Sequence, residues 1–545
     1  MRLLNVDTFK LEDFYDQDIP RYAILSHTWT KDEVTFQEFP TLARNDPRLA
    51  KADGCCSRAG RDRIPYVWID TFCIDKSSSA ELSEAINSMY RWYRQSEICY
   101  VYLTDVHDDS TSPGSSFWTS RWFTRGWTLQ ELVAPFIVEF FDSSWRSIGL
   151  KCENRVIPAL GDGFRRKLGG MNGDLSETIM QITGIASSIL RRSEPMQSTS
   201  VAERMGWASR RKTTRSEDMA YSLFGIFGIN MPLLYGEGGQ RAFFRLQEEI
   251  IRQTHDHTIF SWGYGLGPTH EGVLARSPQS FAHCGNIVSR LLGKGGRSHY
   301  TVTNLGVQIQ VPVVYGDAGT HYALFNAARR GAAGKELMAI PLSRGADADE
   351  KDDDILTRAA GSIPLFLPET WLDNATKQQL YLSNLVAKVS FSKNVCTIHL
   401  PPELIQAGYR PAEIYPPHAL MDGAEEGPIR MGSVPGTAIN DSWALLKFES
   451  PTHPPFQLSA VYRKHRCTCT MRQVTEADVL LATLKYSAGS EGAISDGPSW
   501  REQAELDRIG VLSVSVKYLE NGDTTCRLRV RATRSERRRS APGLA

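Results

Sequence analysis

The chain has 545 residues, which is too long for one hydrophobic core and predicts two or three domains. It is 41% hydrophobic and 23% charged, as globular proteins are, and its 62 basic and 62 acidic residues leave no net charge to attract nucleic acid or an anionic membrane. Residues 1–14 lack a signal-peptide core, no apolar stretch is long enough to span a membrane and the ten cysteines are scattered, so we expect a soluble cytoplasmic protein.

Residues 20–142 alternate short apolar runs with helical patterns. Runs this continuous and this rich in β-branched and aromatic residues are typical of strands covered on both faces of a parallel sheet. They are YAIL at 22–25, YVWID at 66–70, ICYVYL at 98–103 and FIVEFF at 136–141. An amphipathic helix from Glu81 to Gln95 separates the second run from the third, so we predict a right-handed βαβ sheet.

The helix between the second and third runs has one apolar face and one polar face. Leu82, Ile86 and Met89 recur at helical spacing and are expected to pack on the sheet. Ser78 and Glu81 have the spacing of a capping box at its start. On the opposite face, substitution of Asn87 is expected to be nearly neutral.

The rest of the chain changes from helical to strand-like patterns. Residues 151–262 contain the helical stretches SETIMQITGIASSIL and AFFRLQEEIIRQT. Residues 263–530 contain strand-like runs separated by Gly/Pro-rich loops, as in an antiparallel sandwich: VQIQVPVV, CTIHL, ALLKF, VLSVSV and CRLRV. We expect a solvated acidic loop at Asp347 to Asp354 and a basic, disordered tail at 531–545, for which nuclear localisation is the alternative left open. The predicted domains are therefore 1–150, 151–262 and 263–530, followed by the tail.

Three segments resemble the signature motifs of fungal heterokaryon-incompatibility (HET) domains. They are YAILSHTW at 22–29, YVWIDTFCIDKSSSAELSEAINSMYRWY at 66–93 and RGWTLQEL at 125–132. Residues 204–251 also resemble the helical extension that follows many such domains. The resemblance implies a role in non-self recognition and programmed cell death, with a protein partner or self-association through the HET domain. The chain has no GxxxxGK[ST] loop and no repeats, so NTP-driven assembly is not expected.

HET domains resemble, distantly, Toll/interleukin-1 receptor (TIR) domains, which implies a flavodoxin-like parallel sheet for residues 1–150. Some TIR domains cleave NAD at the nicotinamide–ribose bond, using a glutamate in a Trp-Cys-Leu-x-Glu-Leu stretch. Trp127 to Leu132 has the same spacing and places Glu131 at the matching position. The resemblance thus implies that Glu131 is a catalytic residue, that NAD or NADP is the substrate, and that no cofactor is tightly bound.

The chemistry of this cleavage suggests the other residues of the predicted site. Positive charge builds on the ribose while nicotinamide leaves as a neutral molecule, so one carboxylate facing the oxocarbenium can suffice. We expect Trp127 to stack on a flat ring and Arg121 or Arg125 to pair with pyrophosphate oxygens. Ligands bind outside the C-terminal ends of parallel strands, which adds Ser26, His27 and Trp29 after the first strand, and Asp70 and Asp75 after the second.

Structural interpretations of the same residues remain open at this point. Glu131 could cap or pair at a helix start, Asp70 could belong to a turn, and the tryptophans and His27 could be buried structural residues. The alternative function is a non-enzymatic death-effector module that acts by homotypic assembly; nucleic-acid binding through the tail is a weaker third. No metal is expected, because neither His465-x-Cys467-x-Cys469 nor His255-x-His257 has a second ligand pair at zinc-finger spacing.

Overall fold

The computed structural model divides the chain into two compact units, Met1–Thr254 with Ala275–Val288, and His255–Leu274 with Ser289–Ala545. It describes residues 1–15, 18–152, 173–265, 272–290, 300–315, 321–332, 336–344, 355–358 and 363–383, and beyond these the strands between 395 and 531 together with residue 404. The expected acidic loop, His465 and the tail beyond residue 531 lie outside the described residues. The first unit contains the parts expected to form the first two domains up to Thr254, whereas residues 255–262 belong to the second unit. The division at residue 150 remains a prediction.

The first unit is built on a seven-stranded mixed sheet in the order β2-β1-β4-β3-β5-β6-β7. The strands are β1 Arg2–Asn5, β2 Leu11–Asp13, β3 Tyr22–His27, β4 Tyr66–Trp68, β5 Ile98–Tyr102, β6 Ile137–Phe141 and β7 Ser147–Cys152. β3 is parallel to β4 and β5, and β5 is parallel to β6. These strands coincide with the apolar runs, so the predicted parallel sheet is confirmed. β1, β2 and β7 pair antiparallel at the two edges and were not predicted.

Helices connect the parallel strands in the predicted alternation. They are α1 Ala50–Arg61, α2 Ser79–Gln95 and α3 Thr128–Val133. In α2, Ile86 and Met89 are buried as expected, whereas Leu82 is only partly buried. Ser78 accepts a hydrogen bond from the backbone of Glu81 at 3.3 Å and so caps the helix. The Glu81 carboxylate does not close the capping box; it accepts from the backbone of Asp75 at 2.7 Å.

A helical segment follows the sheet, as predicted. One of its helices and one of its loops pack on α2. Its helices are α4 Ser176–Thr183, α5 Ser187–Leu190, α6 Val201–Ala208, α7 Asp218–Tyr221, α8 Phe224–Phe227 and α9 Gly239–Gln253. Among the described residues, short 3-10 helices, some within this segment and some outside it, occur at Phe39–Thr41, Pro47–Leu49, Arg121–Thr124, Met196–Ser198, His257–Ser261, Pro278–Phe281 and Glu369–Asn374. Gly225 lies so close to Tyr90 that a Cβ there would stand 2.0 Å from the Tyr90 Cβ, so this crossing requires glycine.

The structure argues against the nearly neutral effect expected for Asn87→Ala, because the helical segment covers this side of α2. Asn87 accepts a hydrogen bond from the backbone of Met231 at 3.2 Å and donates one to its carbonyl at 3.4 Å. Asn87→Ala removes both bonds and leaves two partly buried backbone groups unpaired, so we expect it to lower the free energy of unfolding by about 1–2 kcal/mol. Thermal melting compared with Glu84→Ala, an exposed position on the same helix, tests this. Equal melting temperatures would show that these bonds contribute nothing.

The second unit is β-rich, as predicted. The C-terminal strands are β8 Ile287–Ser289, β9 Tyr300–Thr303, β10 Gly306–Tyr315, β11 His321–Phe325, β12 Ala327–Arg329, β13 Glu336–Arg344, β14 Ile355–Arg358, β15 Leu365–Pro368, β16 Thr376–Ser383, β17 Val395–His399, β18 Arg410–Tyr415, β19 Leu420–Asp422, β20 Ile429–Gly432, β21 Asp441–Glu449, β22 Phe456–Arg463, β23 Arg466–Gln473, β24 Arg501–Leu506, β25 Gly510–Tyr518 and β26 Thr524–Arg531. Pairing is mainly antiparallel, with β14–β16 and β17–β26 as parallel exceptions. None of the helices within the described ranges has the length and apolarity needed to cross a bilayer.

Candidate functional site

Glu131 meets the C-terminal end of β3 through a buried chain of hydrogen bonds. The hydroxyl of Ser26, the fifth residue of β3, donates to Oε2 of Glu131. The same hydroxyl accepts from the indole nitrogen of Trp122 at 2.7 Å, which turns its proton toward the carboxyl group. Ser26 and Trp122 are fully buried, and Glu131 is 8% exposed. The fold thus brings together two of the predicted site residues that lie 105 positions apart in the sequence.

The surroundings of Glu131 oppose its ionisation. Its pKa is raised to about 8, and burial is the largest cause of this shift. The Ser26 hydrogen bond lowers the pKa, the negative charge of Asp70 raises it, and Arg125 and Tyr93 lower it. The free protein therefore holds this carboxyl group largely protonated at neutral pH. Such a group can be converted to a carboxylate by a nearby positive charge, including one on a bound ligand. An acid with a strongly perturbed pKa, in contact with the end of a parallel strand, is a candidate functional group.

Asp70 forms a second, more polar cluster beside this carboxyl group. Its oxygens accept from the indole nitrogen of Trp29 at 2.9 Å and from Nε2 of His27 at 3.3 Å. Burial, the largest influence, raises the pKa of Asp70, but the bond from His27 and the positive charge of Lys76 outweigh it, so the pKa is lowered. Asp70 is therefore ionised, and because an ionised carboxylate only accepts, His27 carries its proton on Nε2.

Two lysines complete the cluster, and sequence reasoning missed both. Lys51, on α1, lies 3.3 Å from Nδ1 of His27 and pairs with Glu33. The Nζ of Lys76 lies 3.8 Å from the ring centroid of Trp29, which is 43% exposed. Burial lowers the pKa of Lys76 while Asp70 raises it. Lys51 lies outside the three motifs, and Lys76 lies inside the second one, at 66–93. In the sequence each resembles an ordinary surface charge.

The remaining predicted site residues form their hydrogen bonds and ion pairs elsewhere. Trp127 donates through its indole nitrogen to Asp218 in α7 at 3.2 Å. Arg121 is an exposed partner of Asp105, with 3.6 Å between Nε and the carboxylate. Asp75 accepts from Gln37 at 2.6 Å and from Ser77 in the turn before α2. Of the predicted arginines, Arg125 is the one that acts on the charge of Glu131. The predicted ligand contacts of these residues remain untested.

Of the pair His255 and His257, considered for metal binding, His257 has a structural hydrogen bond. In the second unit, His257 is buried and its Nδ1 accepts from the backbone of Asn326 at 3.1 Å. Burial lowers the pKa of His257 to about 4, so the ring is neutral. Within the described ranges, no three His, Cys, Asp or Glu side chains are grouped so that they could hold a metal ion.

Comparisons with known proteins identify the N-terminal domain. Residues 22–120 match the family model "Heterokaryon incompatibility protein (HET)", and residues 241–271 match a domain of unknown function. The chain is 44% identical over 266 residues to "Vegetative incompatibility protein HET-E-1" of Podospora anserina; this covers 46% of the chain and 18% of that protein. The resemblance to HET domains is confirmed for residues 22–120, which include the first two of the three motifs.

Among solved structures, a fungal lectin aligns with part of this chain without sharing its architecture. The lectin XCL of Xerocomus chrysenteron aligns with 26% of this chain and 98% of its own, at 9% identity. The TM-score of 0.17 is too low to indicate a shared architecture.

Proposed function

We propose that this HET-domain chain acts in heterokaryon incompatibility and cell death, and that its N-terminal domain hydrolyses NAD or NADP at the nicotinamide–ribose bond. The first part is supported by the HET match and by the 44% identity to a vegetative incompatibility protein. The chain spans only 18% of that relative, so the role is proposed for this chain on the shared part alone. The observation that carries the second part is the buried Ser26–Glu131 pair at the end of β3.

The order of the parallel strands supports a TIR-like, flavodoxin-like domain. Numbered in chain order, the parallel strands β3, β4, β5 and β6 are arranged 2-1-3-4. Flavodoxin-like sheets share this order and bind ligands where the first and third strands lie side by side, because the chain leaves them toward opposite sides. In this protein those strands are β3 and β5, and Ser26 lies at the end of β3.

The proposed reaction needs an ionised Glu131 and little else from the protein. The electrons of the C–N bond leave with nicotinamide, which departs neutral, and a positive charge develops on the ribose. The carboxylate of Glu131 stabilises that charge until water attacks C1′ and loses a proton, giving ADP-ribose or its phosphorylated counterpart. The cationic ring of the substrate favours the ionised form of Glu131 on binding. Lys51 contacts His27, Lys76 lies over the ring of Trp29, and both are proposed to contact the pyrophosphate.

The direct test uses the purified full-length chain with NAD and, separately, NADP. Release of nicotinamide and ADP-ribose in equal amounts, proportional to protein concentration, is the expected result. Boiled protein controls for spontaneous hydrolysis. Absence of release from folded protein with both nucleotides would refute the enzymatic part while leaving the incompatibility role standing. Killing of fungal cells by wild type and Glu131→Gln alike would then favour homotypic assembly.

The Ser26 hydroxyl is expected to set the pH at which the site works. Below the pKa of Glu131, kcat/KM should rise about tenfold per pH unit because only the carboxylate is active. The hydroxyl lowers this pKa, so Ser26→Ala should move the rising limb to higher pH. The measurement is kcat/KM between pH 6 and pH 9, with Ser88→Ala on α2 as control. A reduced rate with an unmoved limb would argue that Ser26 does not act on Glu131.

A further inference from the structure

The peptide around α3 is held by the helical segment as well as by the sheet. The backbone of Gly126 donates to the carbonyl of Lys212 at 2.8 Å, and the backbone of Lys212 donates to the carbonyl of Thr124 at 2.7 Å. The bond from Trp127 to Asp218 adds a side-chain link beside them. The turn before α3 is therefore paired, in parallel, with the loop that follows α6.

Two arginines of the helical segment hold the two ends of α3. At the N-terminal end, Nη1 of Arg211 donates to the carbonyl of Arg125 and to the hydroxyl of Thr128, both at 2.9 Å. At the C-terminal end, Nη2 of Arg192 donates to the carbonyls of Val133, at 3.2 Å, and Ala134. Cations at the C-terminus of a helix also interact favourably with its dipole. A helix of this length would not keep its position alone, so these contacts fix where Glu131 points.

Arg211 is an unfavourable residue for a purely structural contact. Its Nη2 is shielded from solvent and has no hydrogen-bond partner among the residues that the structure describes. Burial lowers the pKa of Arg211 to about 9, and Glu131 raises it when its carboxyl group is ionised. A buried, incompletely bonded cation costs stability, and an apolar side chain could fill the same volume. The interaction with Glu131 offers a reason for a guanidinium at this place.

We infer that the helical segment is a working part of the Glu131 site, in which Arg211 acts as a positioning residue that orients α3 and supplies a positive charge to Glu131. Arg192 secures the other end of the same helix. The inference rests on the proposed function for its catalytic consequence. It follows that movement of the helical segment would be transmitted to Glu131 through Arg211 and Lys212, so the HET domain and the segment operate as one unit.

The test compares Arg211→Met, Arg211→Lys and Arg210→Met in the full-length chain. Methionine keeps the aliphatic bulk and removes the charge, lysine keeps the charge without the planar fork, and Arg210 is an exposed neighbour. We expect Arg211→Met to lower turnover about 10²-fold through misplacement of Glu131. It should also move the rising limb of the pH profile to higher pH. Arg211→Lys should lower turnover while keeping the limb near its wild-type position, and Arg210→Met should change neither.

A second readout separates this inference from the proposed function. The titration of the Glu131 carboxyl can be followed by NMR in protein labelled with ¹³C at glutamate carboxyls, its signal being the one lost in Glu131→Gln. Arg211→Met should titrate at higher pH than wild type whether or not NAD is cleaved. An unshifted titration in the folded variant would overturn the inference even if the wild type is active. If Arg211→Met does not fold, wild-type turnover in Arg211→Lys would overturn it.

Discussion

Replacing Glu131 with glutamine is expected to lower the turnover of NAD or NADP by about 10²–10⁴-fold while leaving the fold intact. Glutamine has nearly the same shape and can still accept the hydrogen bond of Ser26, but it carries no negative charge to stabilise an oxocarbenium. The loss should therefore appear in kcat rather than in KM alone. Nicotinamide release by the purified full-length variant, with its melting temperature recorded alongside, provides the measurement.

Glu139 offers a matched control for this substitution. It is also buried in the first unit, and burial raises its pKa to about 7, but it belongs to β6 and contacts Ser147 at 2.7 Å instead of Ser26. Glu139→Gln should retain turnover per folded molecule. Equal activity of wild type and a folded Glu131→Gln would remove Glu131 from the mechanism. Equal losses in the two variants would indicate a general effect of removing buried carboxylates.

Glu131→Gln is also expected to stabilise the protein relative to wild type at alkaline pH. The folded-state pKa of Glu131 is raised to about 8 from the ordinary glutamate value of 4.5, so the folded chain binds the proton more tightly than the unfolded chain. Its contribution to stability is therefore lost progressively as pH rises from about 4.5 to 8, on the order of 3 kcal/mol between pH 5 and pH 8. Glu131→Gln lacks this loss. Relative to wild type, its melting temperature should rise by roughly 5–10 °C over that interval.

Thermal melting of both proteins at pH 5 and pH 8 gives this difference without reference to any substrate. Comparing the two proteins cancels other titrating groups, including Glu139, whose raised pKa acts over part of the same interval. A difference that stays constant with pH would mean that Glu131 is already ionised in the folded chain. If Glu131→Gln is more stable than wild type at pH 8 and has lost its turnover, Glu131 is a residue kept for function at the expense of stability.

Local sequence patterns were sufficient to predict the framework of the first unit. Strands buried on both faces are recognisable from continuous apolar runs, and α2 from its helical period, because each pattern is set by neighbours in the chain. The edge strand β2 and its neighbour β1 are short and partly exposed, so they leave no comparable pattern. The motifs at 22–29, 66–93 and 125–132 were enough to recognise the HET domain.

The site shows where local information ended. The spacing of Trp127 and Glu131 suggested Glu131, and the position of Ser26 at a strand end suggested its neighbour, because strand ends meet at one edge of a sheet. Nothing in the sequence indicated that Trp127 would bond to Asp218, 91 positions away. A side chain's partner depends on which elements pack together, and the local pattern contains no record of that.

The charges around Glu131 were decided by the tertiary structure alone. Lys51, Lys76 and Arg211 look like solvated residues in the sequence, since a charge shows neither its burial nor its partner there. Arg211 reaches Thr128 across 83 positions, and the same folding that buries Glu131 raises its pKa to about 8. The sequence by itself therefore determined the resemblance to HET domains and the parallel strands of the sheet, and it suggested Glu131 as the carboxyl group of the site. Its protonation, its neighbours and its dependence on the helical segment follow from burial and long-range contacts, which exist only once the chain has folded.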